Sequence, residues 1–123
     1  MALGRKSVVI GRRSEDRAAA YLEGLGYVVL GRNFRGGNGE LDIIAEKNGV
    51  VYFVEVKARR GGGMVSAREA VTADKQQRLL AAAEAWLQKY RSPDTPCSFL
   101  LATLEDTAGG EPLVELTEDF LCW

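Results

Sequence analysis

Between Gly39 and Lys57 the chain reads GELDIIAEKNGVVYFVEVK, and four ionisable side chains, Glu40, Asp42, Glu55 and Lys57, stand among mostly apolar residues. Asn48-Gly49 is a strong signal for a two-residue hairpin turn. Such a turn pairs Lys47 with Val50, so paired residue numbers sum to 97 (47 + 50), which sets Asp42 opposite Glu55 and Glu40 opposite Lys57. Side chains two apart on a strand share a face, so all four are expected on one side. Directly opposed carboxylates lie roughly 4.5–5.5 Å apart at Cβ and repel. A fold that keeps them must offset the repulsion with a shared proton, a nearby cation or a bound metal. Lys57 supplies one positive charge; Mg²⁺ would supply two and prefers hard carboxylate oxygens, with Mn²⁺ as its substitute. Two acids, a lysine and Arg-rich neighbours suit metal-assisted phosphodiester hydrolysis, in which the metal acidifies a bound water and the lysine orients that water or steadies developing charge. A structural ion cluster is the alternative reading. Glu15 extends the set: it falls on the apolar stripe of a helix with Ala18 and Leu22, or serves as a first-turn glutamate favoured by the helix dipole.

These residues need elements to hold them. Arg12 to Leu25 has helical spacing of apolar residues, with a start as early as Ser7, and Gly26 stops it. Tyr27–Leu30 reads as a short strand, Arg32–Gly39 as a flexible basic loop, Glu40–Glu46 and Val50–Arg59 as the two hairpin strands. Arg59–Gly63 reads as a mobile basic loop, and Ser66–Glu69 fits a capping box for a short helical turn. Thr72 can cap a helix from Ala73 to about Tyr90, with Leu79, Leu80, Ala83, Trp86 and Leu87 inward. Ser98–Leu104 reads as a buried strand and Leu113–Thr117 as an edge strand. The order is α-β-β-β-α-β-β. A long helix between two strands implies a right-handed crossover to a parallel neighbour, so the fold class is α/β, a mixed sheet flanked by helices.

The chain has 123 residues, enough for one compact domain, and residues 1–123 are read as a single domain with an acidic C-terminal segment over 105–123. Residues 1–91 carry all 16 Lys and Arg and 10 acids (+6), whereas 92–123 carry 7 acids and no base (−7). The overall charge of −1 therefore hides a basic portion suited to a polyanion, with a solvated surface as the plainer reading. Arg12, Arg13, Arg32, Arg35, Arg59, Arg60 and Arg68 fall on loops or helix ends near the proposed site, and the arginine fork binds two phosphate oxygens at once. Gly36-Gly37 and Gly61–Gly63 would let the backbone approach a phosphodiester. Phe34 is a candidate for base stacking; Tyr27 and Trp86 fit the core better. No histidine is present, which excludes His-based triads and His–metal sites. Cys97 and Cys122 are too few for a disulfide framework or metal knuckle and read as reduced, partly buried thiols. No apolar run is long enough to span a bilayer and the N-terminal apolar piece is too short for a signal peptide, so a cytoplasmic, non-membrane protein is expected.

The combination Gly11-x3-Glu15, Gly39-Glu40-Leu41-Asp42-Ile43-Ile44-Ala45 and Phe53-Val54-Glu55-Val56-Lys57-x-Arg59 resembles the bacterial YraN family of uncharacterised proteins. That family is in turn similar to the PD-(D/E)XK, restriction-endonuclease-like superfamily, above all to archaeal Holliday junction resolvases. The resemblance covers nearly the whole chain. It implies a nuclease-like protein acting on DNA, branched or damaged, or a non-catalytic or partner-activated nucleic-acid-binding module on the same fold. It implies Asp42 and Glu55 as Mg²⁺ ligands, the Val56 carbonyl as a further ligand, Glu15 completing the metal environment and Lys57 as catalytic lysine. Lys75-Gln76 matches a recurring Lys-Gln feature and would approach the site or the DNA backbone, or else sit in a first turn at the surface. Together with Lys75, the arginines Arg12, Arg35, Arg59 and Arg60 are the expected nucleic-acid contacts. Analogy with junction resolvases adds a homodimer, and the module reading a protein partner. One departure stands out: relatives often read Arg-Phe-Asp where this chain has Ser98-Phe99-Leu100.

Overall fold

The computed structural model describes the backbone of residues 2–59, 72–105, 110 and 112–118, and the side chains of 13–58, 72–105, 110 and 112–118. Its elements are α1 (Ala2–Gly24), β1 (Val28–Gly36), β2 (Gly39–Lys47), β3 (Val50–Arg59), α2 (Ala73–Tyr90), β4 (Cys97–Glu105) and β5 (Leu113–Glu118), in the expected α/β order. The five strands lie in chain order across one sheet. Only β3 and β4, joined through α2, are parallel; the other neighbours are antiparallel. Ser66–Glu69, Arg60 and Arg68 lie outside the described residues, as do the side chains of Arg12 and Arg59.

Among the described residues each face of the sheet carries one helix, which makes three layers. On one side Leu79, Ala82, Ala83, Trp86 and Leu87 of α2 pack onto Leu41, Ile44, Val51, Phe53, Phe99 and Leu101. On the other, Ala18, Ala19 and Leu22 of α1 pack onto Ile43, Val54, Leu100, Ala102 and Leu104. Leu100 is therefore core, 1% exposed and level with Val54. The inward spacing on α2 is as the sequence indicates, with Leu80 only partly buried. Thr72 caps that helix, its hydroxyl accepting from the Lys75 N–H at 3.3 Å. Cys97 is free and exposed rather than partly buried, because it opens β4 before the strand enters the core.

The segment expected as a flexible basic loop is instead the outer half of β1. Its Arg, Asn and Gly residues hide the strand from any propensity argument, yet Gly31, Arg32, Phe34, Arg35 and Gly36 all pair with β2. Gly37 and Asn38 take φ of +56° and +64°, the paired left-handed geometry of a tight hairpin turn. Asn48 and Gly49 do the same at the other end of β2. The glycines at the first turn let α2 lie directly on the hairpin, and they also line the cleft described below. A Cβ on Gly37 would come 2.7 Å from the Ala81 carbonyl oxygen, and one on Gly39 would collide with the Arg78 carbonyl.

That contact fixes where α2 begins relative to β2. Gly39→Ala must push helix backbone away from strand backbone and is expected to cost about 3 kcal/mol. Gly24→Ala, which meets nothing within 4 Å, is expected to lie within about 0.5 kcal/mol of wild type. Urea unfolding of the two variants checks this; equal midpoints would show that the hairpin and helix are not in close contact.

Candidate metal centre and its cleft

The hairpin register is the one that the Asn48-Gly49 turn dictates, from Lys47↔Val50 to Ile43↔Val54. There the β2–β3 ladder ends. Beyond it β2 stays with β1, through Leu41↔Phe34 and Glu40↔Arg35, while β3 stays with β4, through Glu55↔Leu101 and Lys57↔Thr103. The sheet forks, and Asp42 and Glu55 are the first residues past the fork. Asp42 Oδ2 accepts the Val56 N–H at 2.8 Å, so the side chain replaces the backbone acceptor that the diverging strand takes away.

The strict alternation expected along β2 breaks at the same place. Leu41 and Ile44 pack toward α2, but Ile43 packs toward α1. Across the ladder, Asn33 adopts φ +55°, between Arg32, whose guanidinium reaches Asp16 of α1 at 2.7 Å, and Phe34, which packs on the α2 side. Both strands rotate about their axes at one level. Hence the expectation that Glu40 faces Lys57 is corrected: the fork parts them, and Glu40 lies opposite Arg35, Oε2 to Nε 3.9 Å.

Asp42 and Glu55 do meet. Glu55 is a buried charge, 5% exposed. Burial, then the Glu55 charge, push the Asp42 carboxyl from 3.8 up to about 7; the Val56 N–H and Lys75 pull the other way, and a proton shared with Glu55 adds to the rise. The cation on Glu55 is Lys75, whose Nζ lies 2.5 Å from Glu55 Oε1. Burial alone would lower the Lys75 ammonium, but its hydrogen bond to Glu55 and the charges of Glu55 and Asp42 outweigh that and raise it. Lys57, two residues after Glu55 on β3, lies near Lys75 from the first turn of α2. Glu15 is half-buried on α1; burial first, then Asp42, raises it, with Arg32 opposing. It senses the pair but does not join it: among the described residues no three Asp, Glu, Cys or His side chains converge as a ligand group.

The pair opens into a cleft of about 890 Å³ between the β1–β2 hairpin and the start of α2. Arg35, Lys75 and Arg78 are among its walls, together with Asn38, Glu40, Thr72 and Asp74. Arg35 is 82% exposed, and Arg78 is held by Asp74 one turn earlier at 2.9 Å. Strand spacing gives no hint of Lys75 on Glu55 or of Arg78 in the cleft. The available signal is on the helix: Thr72 as cap sets Lys75 in the first turn, and Arg78 three residues on shares its face. Phe34 is not a free stacking ring, since it packs against the core and edge-on to Tyr90 at 6.2 Å. Tyr27 stands edge-on to Tyr52 at 5.2 Å and Trp86 is core.

The donor chemistry fits Mg²⁺: two carboxylates at an open mouth leave room for the several waters that ion keeps. No helix among the described residues is long and apolar enough to cross a membrane.

The chain belongs to the uncharacterised protein family UPF0102, whose model matches residues 14–104, a span that contains Glu15, the fork and the start of α2. It is 39% identical over 110 residues to a UPF0102 protein of Nitratidesulfovibrio vulgaris, covering 89% of this chain and 82% of that one. It is 42% identical over 101 residues to one of Symbiobacterium thermophilum, covering 82% and 86%. A UPF0102 protein of Oleidesulfovibrio alaskensis is 42% identical over 106 residues, 85% of this chain but only 52% of that relative.

The raised carboxyl makes a stability prediction. A group whose pKa is higher folded than unfolded adds stability that is complete below its ordinary value and lost as pH rises through the folded one. For Asp42 that window runs from 3.8 to about 7. In chelator-containing buffer the wild type should lose thermal midpoint across this window relative to Asp42→Asn, whose amide oxygen still accepts the Val56 N–H. Parallel curves for the two proteins would contradict a buried, shared-proton carboxylate.

Proposed function

We propose that this protein is a Mg²⁺-dependent nuclease that hydrolyses DNA phosphodiester bonds, in branched or damaged DNA. The observation that carries the reading is the meeting of Asp42 and Glu55 at a fork in the sheet, in a cleft whose walls also carry Arg35, Lys75 and Arg78, with Lys75 on Glu55. Opposed carboxylates are a poor stabiliser of a sheet.

Asp42, Glu55 and the Val56 carbonyl would hold the metal, with Glu15 behind Asp42. When bound, Mg²⁺ lowers the pKa of a coordinated water and stabilises charge on the phosphate. The chain's own residues do the rest. The Val56 N–H fixes the Asp42 carboxylate on the rigid end of the β2–β3 hairpin, so its aim does not depend on a loop. Lys57, next to Glu55 on the same strand, orients the attacking water or steadies the charge that develops on the phosphate. Arg35 and Arg78, on opposite walls, offer planar forks to flanking phosphates, and such contacts position the backbone without reading sequence. Arg12, Arg59 and Arg60 would extend that contact surface.

One observation favours a second reading, a nucleic-acid-binding module without hydrolysis. Lys75 already sits on Glu55 at 2.5 Å, so the pair carries its own counter-cation. The two readings separate in a cleavage assay with Mg²⁺ or Mn²⁺ on end-labelled junction, flap and plain duplex DNA, with binding measured in parallel. The nuclease reading expects cleavage that falls about a hundredfold or more in Asp42→Asn, Glu55→Gln and Lys57→Ala. It also expects an affinity that drops steeply with salt, by roughly 0.9 log units per tenfold salt for each phosphate neutralised. Salt-dependent binding with no cleavage of any substrate, in wild type or Lys75→Met, leaves the module reading; salt-independent or absent binding defeats both.

A further inference from the structure

A second concavity, about 540 Å³, lies on the α2 side of the sheet between the outer half of β1 and the end of α2. Its walls carry Arg32, Arg35, Lys89 and Arg91; the Arg32 guanidinium reaches away to Asp16, and Arg91 meets Glu46 at 3.6 Å. The walls also carry three aromatic rings. Trp86 is 5% exposed and Phe34 partly buried, but Tyr90 is half-exposed. Tyr90 leans on Trp86 with centroids 5.3 Å apart, and Phe34 meets it edge-on at 6.2 Å. The Lys89 ammonium lies 5.4 Å from the Tyr90 centroid, and the Arg91 guanidinium 5.7 Å from that of Trp86.

Tyr90 is braced by Trp86 and Phe34 and carries the Lys89 ammonium over its ring; such a ring becomes a platform for an unpaired base when the lysine swings aside to a phosphate. Arg35, which has Glu40 beside it at 3.9 Å, belongs to both concavities, so the groove runs on from the carboxylate cleft. A duplex offers its bases only edge-on within the grooves, and so cannot stack on Tyr90; a single strand can.

We propose that this groove binds an unpaired strand of the DNA substrate, with a base stacked on Tyr90, phosphates on Lys89 and Arg91, and Arg35 as the link to the cleft. This rests on the nuclease reading for its DNA substrate and narrows it to DNA that carries a single-stranded arm. Duplex would enter the cleft, and the arm would leave along β1.

The test is fluorescence anisotropy with a labelled oligothymidylate of about twelve nucleotides, an oligouridylate of the same length and a blunt duplex, without divalent metal. The proteins are wild type, Tyr90→Ala, Tyr90→Phe, Lys89→Ala/Arg91→Ala and Asp42→Asn. Circular dichroism and thermal midpoints first establish that each variant is folded. The groove predicts about a tenfold loss of oligothymidylate affinity in Tyr90→Ala, recovery in Tyr90→Phe, which keeps the ring, and little change on the duplex. Lys89→Ala/Arg91→Ala weakens single strands and flattens the salt dependence. Asp42→Asn binds single strands like wild type or better, so loss of hydrolysis and loss of arm binding are read separately. A groove that holds oligothymidylate while no substrate is cleaved would stand without the nuclease reading, as the single-strand site of a binding module. Equal binding by wild type and Tyr90→Ala would overturn the proposal, as would equal losses on single strand and duplex. So would oligouridylate binding that is tighter than oligothymidylate binding, since the strand would then be RNA. Light scattering closes the remaining case: a dimer that Tyr90→Ala converts to monomer would mean that a second copy covers the groove, and the proposal would fall.

Discussion

The site depends on one substitution of partners. At the level of Asp42 the β2 backbone parts from β3 to follow β1, and the Val56 N–H, which a continuous antiparallel ladder would leave to backbone, is taken by the Asp42 carboxylate. An N–H left unmet there would cost roughly 1–3 kcal/mol. The same hydrogen bond fastens Asp42 in the one position where it meets Glu55. Sheet divergence and carboxylate placement are thus a single structural event. The close seat of α2 on the Gly37–Gly39 turn completes it, because the helix brings Lys75 to Glu55 and Arg78 to the cleft wall.

Electrostatically the fork is a balance struck near zero. Two buried carboxylates cannot both ionise cheaply, so the Asp42 carboxyl is pushed up to about 7, while the Lys75 ammonium sits on Glu55. A divalent cation entering this site would face a lysine already bound to one ligand and a proton already held between the two. Binding must therefore release the proton and shift the Lys75 ammonium. The Lys75 ammonium and the shared proton already hold the cluster together, and that balance is what gives a non-catalytic reading its foothold.

Much of this was legible in the residues. Asn48-Gly49 sets the register, and the register sets Asp42 against Glu55, because the two-residue period of a strand leaves no freedom once the turn is known. Thr72, the apolar spacing from Leu79 to Leu87 and the Ser98–Leu104 run identify α2 and β4 by the same local rules. What was hidden depended on contacts between elements. The outer half of β1 has loop composition and becomes a strand because β2 is there to pair with it. The fork, the left-handed Asn33 and the rotation that separates Leu41 from Ile43 arise from how three layers fit, and no local pattern records them. Spacing alone makes Lys75 an ordinary first-turn residue; only the Lys-Gln resemblance points it toward the site, where the crossover brings it to Glu55.

The central claim is that the opposed carboxylates exist to hold a metal ion. Calorimetric titration of Mn²⁺ into wild type, Asp42→Asn and Glu55→Gln, with and without a short DNA duplex, tests it without any assumption about the substrate. Binding by the wild type that is lost in both variants, with proton release that scales with buffer ionisation heat, is the predicted result. No heat of binding in the wild type, with or without DNA, would contradict it and leave Asp42, Glu55 and Lys75 as a self-neutralised structural cluster.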